Sequence, residues 1–397
     1  MNPASNPATP TLDLRPLLLV NMACTMSMMA FVALIGPIAR LLNMPTWQAG
    51  AAVTVAGVVW VLLARPWGRA ADRLGRRRVL LLGCAGFTLA YWALCLFIDG
   101  ALRWLPGATL AFVGLMLTRG LIGAFYAAIP VGGNALVADH VAPQQRARAM
   151  ASLGAANAVG LVLGPAVAAL LAHHSLSMPF YVMSLLPAAA FVVLLFTFKP
   201  QPLPHRHAPS PVRLGDPRLR RPLLVAFTAM LSVTVSQITV GFFALDRLQL
   251  ASADAAQAAG IALTTVGVAL ILSQVVLRQL EWPPQKMIRV GASVSALGFA
   301  AGALAATAPA LWACFFVAAA GMGFVFPAFS ALAANAMEAS EQGATAGSVS
   351  AAQGMGAVIG PLAGTLVYAV DPRLPFLAVA ALLLVVGLWP SHADQHR

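Results

Sequence analysis

The chain has 397 residues, of which 60% are hydrophobic and only 9% charged, and its formal net charge is +12. A soluble globular domain carries about 25% charged residues, so the composition excludes a water-soluble fold and predicts an integral membrane protein. The basic excess lies between long apolar runs, not on one soluble face, which excludes a nucleic-acid binder.

A helix that crosses a bilayer needs about 20 mostly apolar residues. In chain order the candidate spans are 17–40, 47–65, 79–98, 107–136, 147–172, 178–198, 222–245, 255–277, 287–307, 309–336, 343–369 and 374–390. A polar, proline-containing stretch over 1–16 precedes the first and reads as a tail, not as a cleaved signal peptide. Residues 199–221, rich in proline and arginine, read as a semi-rigid linker, and 391–397 as a second tail. The expected fold is an all-α membrane protein, with twelve transmembrane helices in a six-helix bundle over 17–198 and another over 222–390.

The first span carries Asn21, Thr25 and Ser27 among apolar residues, together with Met22, Met26, Met28 and Met29. With Met44 just beyond, the methionines read as packing and not as a metal site. After the second span comes Gly68-Arg69-Ala70-Ala71-Asp72-Arg73-Leu74-Gly75-Arg76-Arg77-Arg78. Such a knot of charge between two membrane-length runs belongs in water at a membrane face. The glycines permit a tight turn between helix ends. Asp72 is placed to face a helix N-terminus or a nearby arginine.

Within the fourth span stands Arg119, in Leu115-Met-Leu-Thr-Arg119-Gly-Leu-Ile-Gly123. Counted from Gly107 it lies about 18 Å deep at 1.5 Å per residue, near the middle of a core about 30 Å thick. An arginine at that depth faces a cavity or a partner. Asn134 and Asp139 follow toward the end of the same span. The fifth span carries Gly154, Asn157, Gly160, Gly164 and Pro165; glycines four apart share one face and let another backbone approach. The seventh offers Ser232, Thr234, Ser236, Gln237 and Thr239 and ends at Asp246, beside Arg247. None of the twelve acids falls at the centre of a span.

Ser152–Pro165 aligns without a gap to Ser348–Pro361, which pairs Gly160, Gly164 and Pro165 with Gly356, Gly360 and Pro361. The offset of 196 residues is close to half the chain. A same-sense repeat of this length predicts two bundles related by an axis along the membrane normal, enclosing a central cavity. With the N-terminus inside, nineteen basic residues fall on inside segments: Arg15, Arg65, Arg69, Arg73, Arg76, Arg77, Arg78, Arg146, Arg148, Lys199, Arg206, Arg213, Arg218, Arg220, Arg221, Arg278, Lys286, Arg289 and Arg397. Four fall outside: Arg40, Arg103, Arg247 and Arg373. That bias places both termini in the cytoplasm.

The Gly68–Arg77 pattern, Gly-x-x-x-Asp-Arg-x-Gly-Arg-Arg, resembles the loop between the second and third helices of major facilitator superfamily transporters. The resemblance covers the whole chain. It implies a conformational-switch role for Gly68, Asp72, Arg73, Gly75, Arg76 and Arg77, with Asp72 meeting the start of the eleventh span near Gly343–Ala346. The Gly154, Gly160, Gly164 and Pro165 helix resembles the antiporter motif of the exporting branches, although Ala168 and Ala169 stand where the family often has a glycine pair. Arg119 matches the helix-4 arginine that the family links to proton transfer. Arg119, Asn21, Asn134, Asn157, Gln237 and Asp246 are therefore the expected groups for proton or substrate.

The resemblance implies a proton-coupled exporter in a bacterial inner membrane, functional as a monomer and needing no cofactor. Many exporters of lipophilic cations carry an acid in the first helix. Its absence here favours a neutral, zwitterionic or anionic polar solute, such as a siderophore. A general multidrug efflux pump is the alternative, with an importer or a non-transporting scaffold behind it. The sequence holds no nucleotide-binding Gly-Lys-Ser/Thr loop, no nucleophile triad and no zinc spacing, and so predicts no enzyme. Cys24, Cys84, Cys95 and Cys314 read as small apolar residues.

Overall fold

The computed structural model describes residues 13–141, 143–197, 216–277, 279–338 and 341–389. The tail before residue 13, most of the linker and the tail after 389 lie outside the described residues. Every regular element within them is helical: α1 (Arg15–Leu41), α2 (Thr46–Leu74), α3 (Arg76–Trp104), α4 (Ala108–Tyr126), α5 (Ala128–His140), α6 (Pro143–Ala172), α7 (Met178–Thr197), α8 (Arg220–Asp246), α9 (Ser252–Leu277), α10 (Pro284–Gly302), α11 (Ala308–Asn335), α12 (Gln342–Tyr368) and α13 (Leu374–Leu388). A 3₁₀ turn, Pro217–Leu219, leads into α8.

These thirteen helices make twelve spans, because α4 and α5 are one span divided at Ala127. The sequence predicts that span as a single piece. Pro130 contributes to the division: it has no N–H to give the carbonyl of Tyr126, four residues back, and its ring crowds that turn. Proline alone is not sufficient, since α1, α2, α6, α7, α11 and α12 all run through one. Among the described residues nine helical segments are both long and apolar enough to cross a membrane, α4 and α5 counting as one. The other three spans fall short for visible reasons. α10 carries Lys286 and Arg289, α12 is rich in Gly, Ala and Ser, and α13 has only 15 residues.

The two halves repeat one another in space. α1 packs on α6 and α7 as α8 packs on α12 and α13, and α3 sits between α4 and α7 as α10 sits between α11 and α13. α2 of the first half meets α12 of the second, and α9 of the second meets α6 of the first. The chain enters α3 through Gly75, whose φ of 91° suits glycine best. That turn, with the ends of α5, α7, α9 and α11, defines an arginine-rich face. The turns after α1, α3, α6, α8, α10 and α12 form the opposite face.

Contacts between the halves concentrate near the opposite face. Thr46 Oγ1 donates to the Thr365 carbonyl at 3.3 Å and Thr54 Oγ1 to the Val358 carbonyl at 2.9 Å. Gly260 of α9 lies against Pro165 and Ala169 of α6, and Gly267 against Val162. Beyond these points the partner helices expose their side chains: Val61 and Leu62 on α2, Met355 on α12, Val159 on α6, Ile271 and Leu272 on α9. The molecule is thus closed at the opposite face and open at the arginine-rich face.

Candidate functional site

At the arginine-rich face the end of α2 carries the switch residues. Asp72 accepts from Arg76 Nη1 one helical turn on, and Arg76 Nε donates to Asp139 of α5 at 2.9 Å. Burial works against the charge of Arg76, but the hydrogen bonds to Asp139 and then to Asp72 outweigh it, so its pKa stands above the ordinary arginine value. Arg77 Nη2 donates to the Leu195 carbonyl of α7 at 3.0 Å, while Arg73 is exposed. Arg65, Gly68, Arg69 and Asp72 line an open recess of about 540 Å³. Asp72 therefore takes a nearby arginine in this conformation. The side chains of residues 342–344 at the start of α12 lie outside the described ones.

Deeper, the first bundle holds two polar groups of residues. Arg119 is wholly buried, with its guanidinium carbon 4.3 Å from the Phe31 ring centroid. Its Nε donates to the Ala52 carbonyl at 3.4 Å, and its Nη1 has no hydrogen-bond partner. Tyr91 stands nearby, donating its hydroxyl to the Ser27 carbonyl at 2.9 Å. Arg119 is thus enclosed among α1, α2 and α3 and has no surface on a cavity.

The second group lies at the divided span. Thr25 of α1 donates to Asn157 Oδ1 of α6 at 2.5 Å, and its hydroxyl is 3.4 Å from that of Tyr126. Tyr126, the last residue of α4, packs edge-on to Trp60 of α2 with ring centroids 6.3 Å apart. Asn157, Tyr126 and Trp60 keep partial exposure. Irregular backbone at membrane depth is tolerated where it is enclosed by protein or lines a cavity. A partly exposed amide, hydroxyl and aromatic wall together can hold a polar solute with an apolar body.

Of these three residues the sequence makes Asn157 legible, but not Tyr126 or Trp60. Tyr126 looks like one more apolar residue of its run, and the signal was Pro130 four residues later. Asn21 bonds its own helix at the Leu17 carbonyl, Asn134 is exposed on α5, and Gln237 is half-buried on α8.

The glycine helices seat on the first helix of each half. A side chain at Gly160 would meet the Met22 carbonyl and Thr25, and one at Gly164 the Met26 carbonyl. Gly356 and Gly360 stand in the same way against Phe227, Leu231 and Thr234 of α8. A Cβ at Gly154 would meet no neighbouring helix within 4 Å. Ala169, where the family favours glycine, is accommodated by Gly260 on the facing α9.

Asp246 does not pair with Arg247 next to it; Arg40, at the end of α1, bonds it across the two halves. No group of three or more His, Cys, Asp or Glu residues able to hold a metal is found among the described residues.

The sequence model of the Major Facilitator Superfamily matches residues 17–292 and again 224–393. The chain belongs to this superfamily. It is a multi-pass membrane transporter and not an enzyme. The tetracycline resistance protein, class D, of Salmonella ordonez is 34% identical over 151 residues, which are 38% of this chain and 35% of that protein. The chain thus spans about a third of that relative. Multidrug resistance protein 1 of Bacillus subtilis is 25% identical over 368 residues, 88% of this chain and 90% of its own. Among solved structures, a bacterial homologue of the human lysosomal transporter Spinster superimposes with a TM-score of 0.74 at 13% identity, over 94% of both chains.

Proposed function

We propose that this transporter exports a small to medium polar solute from the cytoplasm of a bacterium in exchange for protons, working by alternating access as a monomer in the inner membrane. The observation that carries the reading is the α1–α6 seam. There the antiporter-type glycines Gly160 and Gly164 bring α6 against α1 beside the Thr25–Asn157–Tyr126 cluster. The likeness to tetracycline and multidrug resistance proteins supports export. The basic face supports a cytoplasmic opening and cytoplasmic termini. The lack of an acid in α1 supports a neutral, zwitterionic or anionic cargo, and the buried, unpartnered nitrogen of Arg119 supports a part for that residue in proton coupling.

A siderophore fits that chemistry, as a polar molecule of medium size. General multidrug efflux is the second reading, favoured by the names of the relatives. A knockout grown under iron limitation separates the two. Loss of secreted iron chelator with the chelator retained in the cells supports the siderophore. Unchanged secretion with lowered drug resistance replaces it by multidrug efflux, and depletion of a solute from the cells overturns export itself.

A further inference from the structure

The opposite face carries a cluster that binds no solute in the reading above. Arg40, in the last turn of α1, donates from Nη2 to Asp246 Oδ2 at the end of α8. Tyr368, at the end of α12, donates its hydroxyl to the same oxygen at 2.9 Å. The Arg40 guanidinium lies 5.5 Å from the Phe242 ring centroid, and Phe242 packs on Tyr368 at 5.8 Å. One turn deeper, α1 and α8 meet backbone to backbone: a Cβ added to Gly36 would lie 3.0 Å from Gly241 C and Phe242 N. We propose that Arg40, Asp246 and Tyr368 form the latch that holds the opposite face shut, and that a proton arriving from that face opens it by neutralising Asp246.

Arg40 belongs to the first half and Asp246 to the second, so the pair exists only while the halves touch at this face. A group that is ionised and paired in one conformation and unpaired in the other binds protons more readily in the second. Protonation therefore favours the open state, and ionisation the closed one. Asp246 keeps 28% of its side-chain surface exposed and Arg40 keeps 40%, so water on that side reaches both. A proton taken there returns to the same side, which makes Asp246 a gate residue and not the carrier. Other charges near it are few: Arg247 follows it in the chain, Asp371 lies near Tyr368, and Asp254 of α9 and Arg373 before α13 lie on the same face. Arg40 alone of the cationic groups bonds it among the described residues.

The inference rests on the transporter reading but on no particular solute, so its test needs none. Spin labels at Leu105 and Leu304, on the turns after α3 and α10, report the width of the opposite face in the full-length protein in liposomes. The unmodified latch is expected to widen the face as external pH falls. Asp246→Asn should raise the open fraction roughly tenfold at neutral pH, as for the loss of one charge-assisted hydrogen bond, and should abolish the pH response. Tyr368→Phe should open it less and keep the response. The exchange Arg40→Asp with Asp246→Arg should close the face again, which separates the latch from a simple folding defect. An Asp246→Asn protein with the original width and the original pH response overturns the proposal; so does an exchange variant as open as Asp246→Asn.

Discussion

Arg119 lies on Phe31 with one guanidinium nitrogen unpartnered, and that geometry decides how its variants behave. Lysine keeps the charge but has a compact ammonium in place of the planar fork that stacks on the ring and reaches Ala52. Arg119→Lys is expected to fold, remain in the membrane and lose most transport; full activity would mean that positive charge alone suffices. Removing the charge with Arg119→Ala should abolish transport while the protein still purifies as a folded species. At the second polar group the expected effect is on affinity. Asn157→Ala removes the acceptor of Thr25 and should raise KM with kcat little changed, by about 10-fold for a lost hydrogen bond of about 1.4 kcal/mol. Equal loss of kcat and kcat/KM would instead place Asn157 in the conformational step.

Among elements, the ends of the helices moved more than their number. A charge or a proline inside an apolar run is legible, and so Arg119, the Gly68–Arg78 loop and the glycine repeat all stood out in the sequence. The partners of these groups were not legible, because they come from other helices. Arg76 reaches Asp139 of α5, and Asp246 reaches Arg40 of α1. In sequence Arg40 was one external charge among four. The division of the fourth span was hidden because Pro130 resembles six other prolines that their helices absorb. Asp72 stands in the last turn of α2. Here it binds Arg76; a second partner at the start of α12 would come within reach only when the arginine-rich face closes. A carboxylate at a helix N-terminus is worth about 0.3–1 kcal/mol, and about 2 when partly buried. Asp72→Asn should thus shift the balance several-fold toward the state open at that face, read as cysteine accessibility at the two mouths. Unchanged accessibility removes Asp72 from the switch.

At the scale of the whole molecule, the two halves meet along α1–α8, α2–α12 and α6–α9, and all three seams close at the opposite face. Transport by alternating access requires those seams to part while the arginine-rich face closes. A covalent tie across one of them tests this directly. A Cβ built on Gly57 of α2 stands 3.7 Å from the Val358 Cβ of α12, inside the range of about 3.5–4.5 Å that a disulfide needs. Gly57→Cys with Val358→Cys, in a chain whose four native cysteines are alanine, should therefore oxidise readily. The larger side chain at 57 is admitted because Val358 loses the methyl that would otherwise crowd it. Solute binding from the open face should survive the bond, since the arginine-rich mouth is untouched, while turnover stops. Reduction should restore turnover. Transport that continues with the disulfide formed would show that this seam does not open in the cycle, and the rocking of one bundle against the other would have to be abandoned for a local gate.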